Sequence, residues 1–289
     1  AYLDALEALF PSKKVLYFAE VESYPYFVGR IPDDVLTSKN ARNFLSVDGD
    51  YLFEDTLIST TIAEYAGYTK NGKPDQSQVN EKALKRAQDA LQKLIKAAKN
   101  EGIKSPNPYL VILSMDGDNM GKTLGAIKTK GDHKLFSETI AGFAASTVPD
   151  IVEKQYLGRA IYAGGDDVLA LLPVRDALQV AEALRNAFNA TVHDAKIPCE
   201  SNSKYGYSDG SKWYVNATAS AGLAYVHHTH NLQQAIDTAN DTQKNVAKKR
   251  LDRNAIAVRF LRRSGEPREM GQKWELEPGD KVIERVADL

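Results

Sequence analysis

The sequence reads as an α+β protein whose larger part is a ferredoxin-like sheet, and three observations carry that reading. From Tyr109 onward, short apolar runs alternate with amphipathic stretches in the order β-α-β-β-α-β, followed by one further α-β pair. Two of the runs are separated by Gly164-Gly165-Asp166-Asp167, whose glycines permit the positive φ of a tight hairpin. Ahead of this region, Ala83, Leu84, Ala87, Ala90, Leu91, Leu94, Ile95 and Ala98 keep i, i+3, i+4 spacing, which marks the N-terminal part as mostly helical.

Taken in order, residues 1–70 mix short apolar runs, such as Val15 to Ala19, with Pro, Asp and Ser and show no sustained period. Residues 68–78, polar with Gly and Pro, read as a linker or long loop. The amphipathic helix over 79–98 stops at Gly102. Tyr109 to Met115 (YLVILSM) is apolar throughout, as a strand covered on both faces would be. A helix is expected over 134–155 with a kink at Pro149, then strands over 160–163 and 168–174, and a helix over 177–190. A strand over 217–225 leads to Asn231, which with Gln234 three residues on resembles a capping box for a helix reaching about Lys249. A strand over 254–261 closes the pattern. The expected organisation is a mixed, mostly helical region over 1–105, the sheet domain over 106–265 and a C-terminal extension over 266–289.

Composition excludes several classes. The formal net charge of −1 gives no global attraction to nucleic acid or anionic membrane. A single cysteine, Cys199, excludes an intrachain disulfide and a Cys-cluster zinc site. No apolar run approaches the ~20 residues of a membrane helix, and the N-terminus lacks the order of a signal peptide, so a cytoplasmic protein without membrane contact is expected. The first residue, Ala1 rather than Met, reads as that of a fragment.

The chemistry concentrates at Asp116, in Met115-Asp116-Gly117-Asp118-Asn119, and at Asp166-Asp167. A β-α-β crossover makes the strands it joins parallel, so both end at one edge of the sheet and the three aspartates share a rim. Carboxylates gathered there repel one another unless cations sit between them, and Mg²⁺ or Mn²⁺ suits an all-oxygen set. Two such ions activate an attacking hydroxyl and neutralise leaving pyrophosphate. The helix from Asn231 runs back toward this edge, which brings Lys248 near the triphosphate, with the backbone amides of Asn119, Met120 and Gly121 as an anion cradle opposite. Read singly, each motif is also an ordinary turn, and Lys248 an ordinary helix-terminal cation.

Four stretches resemble a known family: MDGDNMGK (Met115 to Lys122), YAGGDDVLALLP (Tyr162 to Pro173), SAGLAYVHH (Ser220 to His228) and AKK (Ala247 to Lys249). Together they resemble the large polymerase-like palm subunit of type III-B CRISPR effector complexes, the Cas10/Cmr2 family, a relative of GGDEF nucleotide cyclases. The resemblance implies synthesis of cyclic oligoadenylate from ATP, in company with other subunits, guide RNA and target RNA. It also implies metal binding by Asp116, Asp166 and Asp167, and nucleotide contacts by Ser220 and Lys248, with Gly117, Asp118, Asn119, Gly164 and Gly165 as further candidates. Neither the HD nuclease domain nor the Cys-rich zinc module of many relatives is apparent. A stand-alone cyclase making a cyclic dinucleotide, and a catalytically silent scaffold, remain the alternatives.

Overall fold

The computed structural model describes residues 1–10, 24–27, 29–262 and 266–275, so the apolar run Val15 to Ala19 lies outside the described residues. The chain divides into two compact units, Ala1–Pro108 and Tyr109–Leu289. Among the described residues no helix is long and apolar enough to cross a membrane.

The first unit gathers short helices, including Tyr2–Glu7 and Ser59–Tyr65, with the long helix Glu81–Asn100. Their apolar faces share a core that includes Leu6, Tyr51, Leu57, Ile62, Leu84, Ala87 and Leu91. Asn80 caps the long helix through its side-chain Oδ1, which accepts from the Ala83 amide at 3.1 Å. Gly102, at φ +76°, supplies the left-handed residue that ends it. The expected linker over 68–78 is instead a small hairpin, Thr69–Lys70 against Lys73–Pro74. Asn71 and Gly72, at φ +54° and +75°, make the turn between the strands, a two-residue geometry that Asn-Gly favours.

The second unit is built on strands β1 (Tyr109–Gly117), β2 (Arg159–Gly164), β3 (Asp167–Pro173), β4 (Ala219–His227), β5 (Ala255–Phe260) and β6 (Arg268–Lys273). They lie in the order β6-β5-β4-β1-β3-β2, mixed because β4 and β5 are parallel and the other neighbours antiparallel. The first four strands, in the order β4-β1-β3-β2, have the ferredoxin-like arrangement. The sheet continues past the boundary expected at residue 265. β6 pairs with β5 beyond it, and Trp274 is buried in the core with its indole donating to the Ala219 carbonyl at 2.9 Å. The polar sequence of this edge strand hid it, since its residues face solvent and show no apolar period.

Helices α1 (Met120–Gly125), α2 (Lys130–Gly142), α3 (Ala177–Asp194) and α4 (Leu232–Asp241) belong to the same unit, as does a small hairpin of Gly206–Ser208 with Trp213–Val215. Residues of alternate parity on β1 divide between two cores. Val111, Leu113 and Met115 join Phe136 of α2 and Leu184 and Phe188 of α3. Ile112 joins Ala224 of β4 and Ala235 and Ala239 of α4. Helices thus cover both faces of the central strands, which explains the uninterrupted apolar run of β1. After α2 the chain stays helical to Gln155 through two wide π-type stretches, Phe143–Thr147 and Asp150–Gln155, with Pro149 between them at helical φ and ψ. Wide turns accommodate the missing proline amide without ending the helix. α4 likewise continues as a π-type stretch, Thr242–Arg250.

Candidate nucleotidyl-transfer site

Strand directions bring the aspartates together. β1 and β2 both run antiparallel to β3, hence parallel to each other, and the end of β1 and the β2–β3 turn share one edge. The turn is a two-residue loop, Gly165-Asp166, in which only Gly165 takes positive φ, at +66°. Gly164 serves space rather than rotation, because a Cβ there would meet the Tyr162 hydroxyl at 2.1 Å.

Asp116 lies within β1, on the parity of Ile112 and Ser114 and therefore on the face that α4 covers. The pairing of Met115 with Val168 puts Asp167 beside Asp116, and Ser220 pairs with Asp116 on the other side. Asp166, in the turn, packs over Gly117, where a Cβ would meet its Oδ2 at 2.7 Å. Gly117 therefore acts by leaving room for a carboxylate.

Lys248 completes the rim from the π-type continuation of α4. Its ammonium donates to Asp116 Oδ2 in an ion pair and to the Gly117 carbonyl at 2.8 Å. Lys249 turns back along its own helix to Asn245 at 2.8 Å. Lys244, one turn earlier, is a residue that sequence reading missed, and its charge acts favourably on the Asp167 carboxylate. The signal that could have found it is its spacing four residues before Lys248. A cavity of about 550 Å³ beside Lys248 is lined by Lys244, Lys249 and Arg253 and by Asp237 and Asp241.

The remaining expected residues lie at different depths. Asn119 is left-handed, at φ +56°, and opens α1, whose first inward donors are the Lys122 and Thr123 amides to the Asn119 carbonyl. Gly121 is exposed, with open space where a Cβ would be, whereas the Met120 side chain packs against the core beneath Gly117. Asp118 and Ser220 lie in the interior rather than on the rim. Asp118 is 3% exposed and Ser220 has no accessible surface. The Ser220 hydroxyl donates to Asp118 Oδ1 at 2.7 Å.

Burial holds the Asp166 and Asp167 carboxyls above the ordinary carboxylate range, and the charge of Asp116 adds to the rise. Three carboxylates at one sheet edge, partly desolvated and with Asp116 repelling the other two, fit a hard divalent cation. Because the folded pKa values lie above the unfolded ones, these two groups favour folding at acid pH. Their contribution is lost as pH rises through the raised values. A divalent cation competes with those protons, so Mg²⁺ is expected to raise the melting temperature more at about pH 7.5 than at about pH 5. Near neutral pH, ten times the Kd corresponds to about 1.4 kcal/mol and roughly 2–4 °C by differential scanning fluorimetry. An equal shift at both pH values would count against cation binding at these carboxylates.

Comparison with known proteins agrees with this architecture. Residues 109–257 match the family model for the second palm domain of Cas10/Cmr2. The chain belongs to the Cas10/Cmr2 family. It is 31% identical over 255 residues to the CRISPR system Cmr subunit Cmr2 of Pyrococcus furiosus, a match that covers 80% of this chain and 26% of that relative. The chain therefore spans about a quarter of the length of the curated relative it matches. Among solved structures it is similar to an apo Csm1–Csm4 cassette, at TM-score 0.41 and 17% identity over 51% of this chain and 20% of that one. Csm1 of T. onnurineus is similar at TM-score 0.39 and 18% identity, with the same shares covered.

Proposed function

We propose that the rim of Asp116, Asp166 and Asp167 is a nucleotidyl-transfer site that makes cyclic oligoadenylate from ATP. It would work within a type III CRISPR ribonucleoprotein containing partner subunits, guide RNA and target RNA. One observation supports this above the others: three carboxylates from the ends of crossover-linked strands meet a lysine delivered by a separate helix. Electrostatically, that combination suits a divalent metal and a triphosphate. The family relation to Cas10/Cmr2 supports ATP as the substrate class and the RNA-guided setting, and the arrangement of β1 to β4 is compatible with kinship to GGDEF cyclases.

Asp116, Asp166 and Asp167 would hold Mg²⁺ or Mn²⁺, which when bound supplies charge neutralisation for the phosphates and lowers the pKa of a ribose 3′-hydroxyl. The chain's own residues would bind and orient. Lys248, paired with Asp116, and Lys244, whose charge acts on Asp167, would present ammonium groups to the phosphates. The short Gly165-Asp166 turn keeps the rim open to a nucleotide. A 3′-oxygen attacks the α-phosphorus of a second ATP, the P–O bond to pyrophosphate breaks and the hydroxyl proton passes to solvent. Positioning and charge neutralisation then supply most of the rate.

The test is product analysis by mass spectrometry on the chain assembled with its partner subunits, with ATP and Mg²⁺, with and without target RNA. Cyclic oligoadenylate that depends on target RNA supports the proposal. A cyclic dinucleotide made by the chain alone supports a stand-alone cyclase, and no product together with no ATP binding by calorimetry supports a scaffold. Lys248→Ala is expected to lower kcat/KM for ATP by roughly 10²-fold, as loss of one charge-stabilising donor does. Lys248→Arg should recover part of that loss. Steady-state kinetics on the two variants checks this, and a Lys248→Ala enzyme at normal kcat/KM would exclude the phosphate role.

A further inference from the structure

Two residues beyond Asp116, the chain places a carboxylate in the interior, 3% exposed. Asp118 Oδ2 accepts from Thr218 Oγ1 at 2.8 Å and from the Asn254 amide at 2.9 Å, and Oδ1 accepts from Ser220 Oγ at 2.7 Å. The Asp118 amide donates in turn to the Thr218 carbonyl at 2.7 Å. A buried carboxylate holding three donors is a strong fastening, because each bond is charge-assisted and losing a partner leaves desolvated charge behind.

What it fastens is the end of the helix that bears Lys248. Asp252, Arg253 and Asn254 take φ of +52°, +64° and +42°, three left-handed residues in succession. Such a run is strained for residues with a Cβ and persists only where its surroundings hold it. Here the Arg253 amide donates to the Ala247 and Lys248 carbonyls at 3.1 and 3.2 Å. Lys273 Nζ donates to the Asp252 and Arg253 carbonyls at 2.7 Å each. Arg185, 9% exposed, donates to Asn254 Oδ1 at 3.0 Å, and the Asn254 carbonyl accepts from the Trp274 amide at 3.1 Å. An unbroken path therefore runs from Asp116 along two residues of chain to Asp118, through the Asn254 amide into the left-handed turn, and through the Arg253 amide to Lys248.

We infer that Asp118 is a positioning residue: its carboxylate clasps Thr218, Ser220 and the Asn254 amide, and so sets the separation of Asp116 from Lys248 without touching metal or nucleotide. Ser220 acts through Asp118 in the same way. This rests on the reading of the rim as a nucleotidyl-transfer site. Misplacing Lys248 relative to Asp116 weakens stabilisation of the transition state more than it weakens ground-state binding, so the loss falls on kcat.

The experiment compares Asp118→Ala with the paired Thr218→Val/Ser220→Ala variant, which strips two donors from Asp118 and leaves the rim carboxylates in place. In the assembled complex both variants should lose kcat, Asp118→Ala by roughly 10–100-fold, with KM for ATP changed by less than about 3-fold. The triple variant should be no worse than Asp118→Ala. By hydrogen exchange, Asp118→Ala should lose protection at the Asn254 amide, while calorimetric Mn²⁺ affinity of the chain stays within about 3-fold. Loss of Mn²⁺ binding in Asp118→Ala, or undiminished kcat in Thr218→Val/Ser220→Ala, overturns the inference. If Asp118→Ala does not fold, the separate Thr218→Val and Ser220→Ala variants decide by the same readings. Exchange and Mn²⁺ binding need no turnover, so a wild-type complex without product would refute the transfer site while these readings still judge the clasp.

Discussion

Replacing Asp166 and Asp167 together by alanine is expected to lower cyclic oligoadenylate production by roughly 10³-fold or more, without lowering the melting temperature of the chain in EDTA. The two halves of this result have different origins. Catalysis should collapse because the pair would supply two of the three carboxylates for the divalent cations, leaving Asp116 already engaged by Lys248. Stability should hold because neither side chain supports a core: Asp167, largely exposed, has only its carboxyl partly desolvated beside Asp116, and Asp166 is half-buried in a turn. Both carboxyls are pushed up by burial and by Asp116, so near neutral pH their charges oppose folding. Their removal should leave the melting temperature in EDTA unchanged or slightly raised. Mg²⁺ should then give the variant no further rise. Product quantification by mass spectrometry and scanning calorimetry check the two halves separately, and undiminished product in a folded variant would remove the catalytic assignment.

The convergence of these aspartates was legible in the sequence because it depends only on strand direction. An apolar run, an amphipathic helix and a second apolar run imply a parallel pair, and Asp116 and the Gly-Gly-Asp-Asp turn both follow the C-terminal ends. Lys248 was legible for a similar reason, as the end of a helix returning to the same edge. Depth was not legible. Asp118 and Ser220 sit in motifs beside rim residues, and nothing in residue type tells a carboxylate that meets substrate from one that meets a serine behind it. β6 was missed because an edge strand facing solvent has no hydrophobic period to read. The Asp252-Arg253-Asn254 turn was missed because its conformation is imposed by Asp118, Arg185 and Lys273, all distant in sequence. Asn71-Gly72, by contrast, has the local chemistry of its turn and still read as a loop, because the strands it joins are two residues each.

Gly222 gives the second large effect, and it links the fold to the site. A Cβ on this β4 residue would lie 2.3 Å from the Gln243 amide nitrogen, 2.6 Å from the Ala239 carbonyl oxygen and 2.7 Å from Gln243 Cα. These are backbone atoms of the helix that carries Lys248, so no side-chain rotation relieves the clash. The helix must lift from the sheet instead. Gly222→Ala is expected to cost roughly 2–4 kcal/mol, or about 5–10 °C in melting temperature. A control in the opposite sense is Gly142→Ala at the end of α2, where φ is −62° and a Cβ meets open space. That substitution should stabilise by about 0.5–1 kcal/mol. The site feels the Gly222 change through Lys248, since a helix displaced from β4 also leaves Asp116, the register partner of Ser220 two residues away on that strand. At a temperature where Gly222→Ala remains folded, its kcat should fall by roughly 10-fold or more while Mn²⁺ affinity at the rim changes little. Calorimetry and single-turnover kinetics on the same preparation would separate the two consequences, and normal kcat in a destabilised but folded Gly222→Ala chain would show that helix seating does not govern the lysine.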